Sequence, residues 1–296
     1  MTGELRGSMP PLVTPIRAGA VDYEAFGRLV EWQVEAGSHG VVVCGTTGEP
    51  TTLTREERGE LTRTAVAAAR GRVPVVAATG SQSHAETIAL SADAERAGAD
   101  ALLILTPYFI RPPQRGLAAY FTDLARRTAL PVLIYHIPGR AAVGLEIDTV
   151  ARIVEAAPNV VGLKHAANDL AFVTQLLARI GADFGVFVGL EELSFPMLAL
   201  GAAGMMNAVA NVAPQRVAAL YEAVRRGDLA GARALHEQLF ALNQAVFWDT
   251  NPIPIKYLMK RLGRLADNEH RLPMMPATPE LEARLDSLFD TALAAE

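Results

Sequence analysis

Short apolar runs and longer amphipathic segments alternate along most of the chain. The apolar runs are rich in Val, Ile and Leu and are continuously apolar, which is typical of parallel strands that are covered on both faces. Most runs begin about 25 to 30 residues apart, which leaves room for one crossover helix between consecutive strands. We therefore predict strands at residues 10–15, 40–45, 73–80, 99–107, 130–136, 159–165, 184–190 and 202–208.

Three of the intervening segments begin with sequence signals of a helix N-terminus. Asp22 is a candidate N-cap, and Thr54 followed by Glu57 forms a capping-box pattern that Ser83 and Glu86 repeat. We predict that these signals open helices over residues 22–37, 53–71 and 83–99.

Eight strand–helix alternations favour a closed (β/α)8 TIM barrel. The alternative is an open doubly wound sheet, which normally has a glycine-rich nucleotide-binding fingerprint after its first strand, and this sequence has none there. After about residue 225 the pattern contains helices only, with no low-complexity linker before them. We predict a catalytic barrel over residues 1–225 and a C-terminal helical extension, residues 226–296, that packs on it.

Composition narrows the functional classes. The 296 residues are 50% hydrophobic and 20% charged, with a net charge of -5 and scattered basic residues, whereas a nucleic-acid-binding protein normally has a basic face. The single cysteine, Cys44, excludes an intramolecular disulfide and a cysteine-rich zinc site. No segment has the apolar core of a signal peptide or an uninterrupted membrane-spanning length, so we expect a cytoplasmic protein without membrane partners.

Lysine is rare in this chain, and Lys164 lies at the end of the sixth predicted strand. Barrel enzymes carry their chemistry where strands run into the βα loops. An amine that is partly desolvated among Val, Leu and Gly is favoured in its neutral form, which condenses with a ketone to give an imine. Arginine, the chain's usual cation, stays protonated and cannot do this. The alternative is a lysine whose head reaches solvent; we predict that Lys256 and Lys260 are such surface cations.

Two other strand ends carry groups suited to the same chemistry. The glycines around Thr46 and Thr47 leave backbone N–H groups free to hold an anion, and the hydroxyls can join a proton relay. Tyr135 can shuttle protons, and Arg140 can bind a carboxylate through two parallel hydrogen bonds. Each has a structural alternative: a simple turn for the threonines, a core position for Tyr135 and a surface ion pair for Arg140.

The histidines point to no metal site, because the six of them show no paired ligand spacing. His136 and His165 each follow a predicted inward-facing residue, so strand alternation points both away from the barrel centre. We expect neither a metal nor a cofactor.

Together, these motifs resemble the dihydrodipicolinate synthase/N-acetylneuraminate lyase family of Schiff-base pyruvate lyases. The motifs follow the family's order and spacing over nearly the whole chain: GTTGE (45–49), TPY (106–108), YHIPGR (135–140), VGLKHA (161–166), ANVAP (210–214) and NPIPIK (251–256). The resemblance implies a barrel with a C-terminal helical region, usually assembled as a homotetramer that is a dimer of dimers.

The resemblance also implies roles for single residues. Lys164 is similar to the imine-forming lysine, Tyr135 to the general acid/base and Thr46 to the proton-relay threonine.

Substrate-binding roles follow from the same resemblance. The backbone N–H of Thr47 would hold the pyruvate carboxylate, and Arg140 is similar to the arginine that receives the carboxylate of the aldehyde substrate. The backbone carbonyl of Met206 falls where the family closes the pyruvate pocket.

The sequence departs from the family pattern in several places. Synthases usually have TPYY, whose second tyrosine reaches across a subunit interface into the proton relay, whereas this chain has Phe109. HAAN (165–168) replaces an acidic-and-small run, YHIP replaces YNVP, and GLEE (189–192) replaces a Gly-Asp-Asp type turn. These differences leave pyruvate activation intact and weaken the prediction of the second substrate.

Two enzyme functions fit the resemblance. The family's synthase activity, which joins pyruvate and aspartate semialdehyde in lysine biosynthesis, is favoured by Arg140 in its PGR loop. A catabolic pyruvate aldolase that cleaves a 4-hydroxy-2-oxo acid is favoured by Phe109 and by the KHAAND segment, 164–169. A non-catalytic keto-acid-binding protein on the same scaffold is a third candidate, because fold alone does not secure function.

Overall fold

A computed structural model describes residues 5–293 of the chain. Its strands are β1 (Gly7–Ser8), β2 (Ile16–Arg17), β3 (Ala20–Val21), β4 (Val41–Val43), β5 (Val75–Ala78), β6 (Ala101–Leu105), β7 (Val132–His136), β8 (Val160–His165), β9 (Gly185–Val188) and β10 (Gly204–Met205). β2 and β3 form a separate antiparallel hairpin. The other eight strands pair in parallel in the order β1-β10-β9-β8-β7-β6-β5-β4.

The sheet closes on itself between β4 and the segment that follows β1. Pro11 pairs with Val42 in a parallel bridge. The Val42 N–H donates to the Pro10 carbonyl, and the Leu12 N–H donates to the Val42 carbonyl, both at 2.9 Å. This closure confirms the (β/α)8 barrel and excludes the open doubly wound sheet.

The first strand differs from its prediction. We predicted residues 10–15, whereas β1 is Gly7–Ser8 and only Pro11 continues the pairing. Pro10 and Pro11 have no backbone N–H to donate, so a regular ladder cannot extend through them. The other seven predicted strands each contain an observed strand, and all seven observed strands are shorter than predicted.

Helices follow the strands in the expected alternation. They are α1 (Tyr23–Glu35), α2 (Arg55–Ala69), α3 (His84–Arg96), α4 (Gln114–Ala125), α5 (Pro138–Ala141), α6 (Ile147–Ala156), α7 (Leu170–Ile180), α8 (Ser194–Ala199), α9 (Pro214–Arg225), α10 (Leu229–Ala245), α11 (Ile253–Arg261) and α12 (Pro279–Ala292).

The predicted helix starts are confirmed by their hydrogen bonds. The Asp22 side chain accepts from the Ala25 N–H, and the Ser83 side chain accepts from the Glu86 N–H. Thr54 and Glu57 form the complete capping box. Each cap satisfies backbone donors that the first turn of a helix leaves unpaired.

Alternation along the strands separates two packed layers. A buried cluster inside the barrel takes alternate residues from successive strands, including Val76, Leu103, Leu133 and Phe187. The intervening residues pack outward against the helices in a larger core. The barrel is therefore filled by side chains and is not a pore.

α10, α11 and α12 form the predicted C-terminal helical extension. α11 and α12 are joined by a hydrogen bond of 2.9 Å from the Tyr257 hydroxyl to Asp286, and side chains from all three helices belong to the large outer core. Within residues 5–293, no helix is long and apolar enough to cross a membrane.

Candidate active site

The six predicted site residues lie around one cavity at the carboxyl ends of the barrel strands. The cavity has a volume of about 180 Å³. Its lining includes Thr46, Thr47, Tyr135, Arg140, Lys164 and Met206. These residues come from four separate segments of the chain, and closure of the barrel brings them together.

Lys164 projects into the barrel from β8. Parallel pairing places it opposite Tyr135 of β7, and its Nζ lies 4.4 Å from the centre of the Tyr135 ring. Only 4% of Lys164 is exposed, so its head does not reach bulk solvent. Among residues 5–293, its amine has no hydrogen-bond or ion-pair partner. The amine is therefore held in place by packing and remains free to react.

Gly189, directly after β9, leaves room for the lysine chain. A Cβ at this position would lie 2.8 Å from the Ala166 Cβ, 2.9 Å from the His165 carbonyl oxygen and 3.1 Å from the Lys164 Cε. The Gly189 N–H donates to that same carbonyl at 2.8 Å. A side chain here would push Lys164 away from its observed position.

The turn after β4 presents two threonines to the cavity. Thr46–Gly48 form one turn of 3-10 helix, flanked by Cys44 and Glu49 in the left-handed region at φ 57° and 53°. The first backbone N–H groups of a helical turn have no carbonyl acceptor within it. Thr46 and Thr47 line the cavity, and a turn with unpaired N–H groups beside a cavity is suited to bind an anion.

Thr46 also faces Tyr135. The Thr46 Oγ1 and Tyr135 Oη atoms are 3.4 Å apart, which is long for a hydrogen bond between hydroxyls. Catalytic hydrogen bonds are often this long without substrate and shorten when it binds.

Asn251 is a site residue that we did not single out from the sequence. It lines the cavity, and its Nδ2 donates to the Thr47 Oγ1 at 3.0 Å. The residue opens the NPIPIK motif, so the motif was visible in the sequence. What the sequence could not show is that the C-terminal extension folds back onto the 46–48 turn.

The prediction that Lys256 is a surface cation is wrong. Lys256 is fully buried, and its Nζ donates to the Glu49 Oε1 at 2.9 Å and to the Glu269 carbonyl oxygen. The His270 Nδ1 is 2.8 Å from the Glu49 Oε2. The Lys256 and His270 hydrogen bonds lower the pKa of Glu49 against the effect of burial, which is the largest influence and acts upward. Lys260 is the surface cation expected, paired with Asp267 at 3.4 Å.

Arg140 lies on the short helix α5 at the cavity rim. It is exposed and lines both the site cavity and an adjoining cavity of about 470 Å³. Among the described residues it has no ion-pair partner, which argues against the surface ion pair considered from the sequence. Its guanidinium is available to a bound anion.

Glu191 is a second residue that sequence reasoning did not single out. It is 2% exposed, borders the cavity, and its Oε1 accepts a hydrogen bond of 2.6 Å from the Ala208 N–H. Burial raises the pKa of Glu191, and the backbone hydrogen bonds and nearby Lys164 oppose that effect. The sequence showed only that GLEE departs from the family's usual turn.

Phe109 lies outside the cavity. It is 84% exposed, with Ile110 beside it 59% exposed, and its backbone is in the left-handed region at φ 75°. Its ring cannot join the Thr46–Tyr135 pair within this chain.

Comparison with known proteins covers almost the whole chain. Residues 4–292 match the dihydrodipicolinate synthetase family. A 4-hydroxy-tetrahydrodipicolinate synthase of Thermus thermophilus is 48% identical over 281 residues, which are 95% of this chain and 94% of the relative.

Solved structures agree with the sequence comparison. Dihydrodipicolinate synthase from Aquifex aeolicus superposes with a TM-score of 0.95 at 38% identity and covers 97% of this chain and 98% of its own. The 4-hydroxy-tetrahydrodipicolinate synthase from Methylacidiphilum fumariolicum has a TM-score of 0.95 at 36% identity and covers 98% of this chain and 96% of its own.

Proposed function

The chain belongs to the dihydrodipicolinate synthetase family, and we propose that it catalyses the reaction of a 4-hydroxy-tetrahydrodipicolinate synthase. This enzyme of the class I pyruvate lyase type joins pyruvate to aspartate semialdehyde. The observation that carries the proposal is the buried amine of Lys164, 4.4 Å from the Tyr135 ring centre, in a cavity shared with the Thr46–Gly48 turn and Arg140.

The first half of the reaction activates pyruvate. The Lys164 nitrogen attacks the ketone carbon to form a carbinolamine, and loss of water gives an imine. The imine withdraws electrons from the neighbouring methyl group, which loses a proton and becomes the carbon of an enamine.

The second half makes the carbon–carbon bond. The enamine carbon attacks the aldehyde carbon, the aldehyde oxygen takes up a proton, and the imine re-forms. The amino group of aspartate semialdehyde then attacks the imine carbon and displaces the Lys164 amine, which closes the ring of the product and restores the lysine. The water lost on imine formation is the second product. These steps balance without a cofactor.

Tyr135 and Thr46 are the proposed proton-transfer residues. The phenol lies beside the Lys164 amine and faces the Thr46 hydroxyl at 3.4 Å. A group in this position can protonate the departing carbinolamine oxygen and later the aldehyde oxygen. Thr46 links the phenol to the turn that holds pyruvate.

The proposed pyruvate site uses backbone groups. The Thr47 N–H at the start of the 3-10 turn would donate to the pyruvate carboxylate, and the Met206 backbone carbonyl would close the pocket on the opposite side. Because Asn251 holds the Thr47 side chain at 3.0 Å, the C-terminal extension supports this site directly.

Arg140 is proposed to select the aldehyde. A guanidinium binds a carboxylate through two charge-assisted hydrogen bonds, and aspartate semialdehyde carries a carboxylate beyond its reacting carbon. An exposed arginine at the rim of the lysine's cavity, without an ion-pair partner among residues 5–293, is placed for this contact.

A panel of aldehydes offered with pyruvate tests the function. We expect aspartate semialdehyde to be consumed fastest by the wild type. The Arg140→Gln variant should raise the KM for this aldehyde about tenfold or more, because it loses charge-assisted hydrogen bonds of roughly 1.5–3 kcal/mol, and should leave the KM for pyruvate unchanged. Arg115→Gln, at an exposed arginine on α4, is the matched control.

One observation favours a second function, a catabolic pyruvate aldolase. Phe109 has no hydroxyl to contribute to a proton relay, so a synthase relay that depends on a tyrosine here is absent. If the wild type consumes another aldehyde and leaves aspartate semialdehyde untouched, the synthase proposal fails and the aldolase replaces it. A large rise in synthase turnover in Phe109→Tyr would show that the missing phenol limits this enzyme.

We further propose that the protein is a cytoplasmic homotetramer built as a dimer of dimers. The adjacent, exposed Phe109 and Ile110 support an interface close to the site, because large apolar side chains next to each other on a surface mark contact regions. Cell fractionation tests the location, and sedimentation of the purified protein tests the assembly.

A further inference from the structure

Two buried histidines lie directly behind the candidate catalytic pair. His136 follows Tyr135 on β7 and His165 follows Lys164 on β8, and the two strands pair in register, Tyr135 with Lys164 and His136 with His165. Because strand residues alternate between faces, the imidazoles point outward, as predicted, while the tyrosine and the lysine point into the barrel.

The two imidazoles are bonded to each other. Their Nδ1 atoms are 3.1 Å apart, so one ring donates an N–H and the other accepts it. Phe172 of α7 stacks on both rings, with ring centres 4.9 Å apart and interplanar angles of 22° for His136 and 9° for His165. The pair is fixed across the two strands by its own hydrogen bond and perpendicular to the sheet by Phe172 of α7.

The surroundings keep the pair uncharged near neutral pH. His136 is 5% exposed and His165 is 1% exposed, and burial lowers the pKa of each. The Asp169 carboxylate at the start of α7 opposes this effect on both rings. Two neutral rings satisfy the 3.1 Å contact when one Nδ1 carries the proton and the other accepts it.

We propose that the His136–His165 pair is a positioning device for the reaction, a cross-strand hydrogen bond that sets the placement of the Tyr135 phenol relative to the Lys164 amine. The inference rests on the proposed function of these two residues. The backbone bond from Ala166 N–H to the His136 carbonyl, 2.9 Å, fixes the register of the strand ends. The imidazole hydrogen bond adds a second link between the two strands, on the outer face of the sheet. This second link resists rotation of one strand end against the other.

The imidazole hydrogen bond should affect kcat more than the KM for pyruvate. The phenol and hydroxyl of the relay are already 3.4 Å apart, at the limit of a hydrogen bond. A displacement of about 1 Å at reacting groups can cost as much as a hundredfold in rate. The pyruvate carboxylate, by contrast, would be held by the turn at residues 46–48, which the histidines do not touch.

The test compares two substitutions of His165. Leucine fills the space without a polar atom, whereas the amide of asparagine places a donor or acceptor where the Nδ1 lies. We expect kcat of His165→Leu to fall about tenfold, with the KM for pyruvate unchanged, and kcat of His165→Asn to stay within about threefold of the wild type. His39→Leu, at a hydrogen-bonded histidine before β4 at the other end of the barrel, should lose stability and keep its kcat.

Several outcomes would overturn the proposal. A folded His165→Leu variant with wild-type kcat, or equal losses of kcat in the leucine and asparagine variants, would reduce the pair to ordinary packing. If the leucine variant does not fold, 15N spectra of the wild type decide: one Nδ1 protonated and the other unprotonated supports the bond, and two Nδ1 in the same state contradicts it. A wild type that fails to form an adduct with pyruvate would instead refute the proposed function.

Discussion

The three lysines of this chain have three different environments. Lys164 is buried without a polar partner among the described residues, Lys256 is buried in an ion pair with Glu49, and Lys260 is paired with Asp267 at the surface. The scarcity of lysine and a strand-end position distinguished Lys164 in the sequence, and the motifs at other strand ends and the family resemblance completed its predicted role. The four-residue spacing of the other two suggested a shared surface face, but the partner that buries Lys256 is 207 residues away.

Removal of the Lys256 amine should therefore destabilise the fold strongly. In Lys256→Met the buried Glu49 carboxylate loses its cation, and breaking a buried pair from one side costs about 3–5 kcal/mol. Lys260→Met should cost less than about 1 kcal/mol, because its pair is exposed. Denaturant unfolding of both variants measures the difference, and equal small losses would contradict the assignment of Lys256 to the interior.

Acid should weaken the fold through His136. Burial, aided by the neighbouring His165, lowers its pKa from 6.5 to about 4. The unfolded chain therefore takes up a proton before the folded chain does, so the stability is full above the unfolded pKa and is lost as the pH falls towards the folded one. Between about pH 7.5 and 4.5 the wild type should lose roughly 2–3 kcal/mol through this group. The His136→Asn variant should lose less stability over the same pH range, because it lacks this imidazole. Urea unfolding of both proteins measures the difference, and equal losses of stability would contradict the role of His136.

Elements were predicted better than the contacts between them. Continuous apolar runs and capping boxes identified the barrel and its first helices, because these signals are local. The first strand was misplaced, because the apolar pattern does not show that Pro10 and Pro11 lack the backbone N–H groups that a strand ladder needs. The turn at residues 46–48 was predicted from its glycines and threonines. The contacts of Asn251 with Thr47 and of Lys256 with Glu49 depend on how the C-terminal helices fold back, which no local pattern encodes.

Gly189, which directly follows β9, gives the clearest test at the scale of the secondary-structure elements. Gly189→Ala should displace Lys164, because its Cβ would come within 3.1 Å of the Lys164 Cε and closer still to Ala166. We expect kcat to fall at least about tenfold, in line with the cost of misplacing a reacting group. Gly139→Ala is a matched control on the same cavity, since its Cβ would meet nothing within 4 Å. Equal kcat in both variants would show that the lysine tolerates the displacement.

At the scale of the whole molecule, the loop after β6 carries two large apolar side chains on the surface. Phe109 and Ile110 are 84% and 59% exposed in the single chain, and they follow β6, the strand that pairs with the strand of Tyr135. Burial of these side chains against a second copy would explain their exposure here. The sequence predicted this assembly only through the family resemblance, because no periodic pattern marks a surface that another subunit covers.

Replacement of both exposed side chains should weaken the proposed assembly. We expect the Phe109→Ser, Ile110→Ser double variant to sediment as smaller species than the wild type at the same concentration, because it loses apolar surface worth about 1.5–3 kcal/mol per side chain when fully buried. A Leu272→Ser variant, altered at another exposed apolar residue, controls for loss of surface hydrophobicity. Identical sedimentation of the double variant and the wild type would remove this loop from the interface.

Reductive trapping tests the central claim most directly. Borohydride added with pyruvate reduces an imine to a stable amine, and peptide mass analysis then shows which of the three lysines carries it. We predict one reduced pyruvate on the peptide that contains Lys164, with Lys256 and Lys260 unmodified as internal controls, and no adduct in Lys164→Arg. An unmodified Lys164 in the wild type, or a pyruvate adduct on either other lysine in its place, would contradict the mechanism.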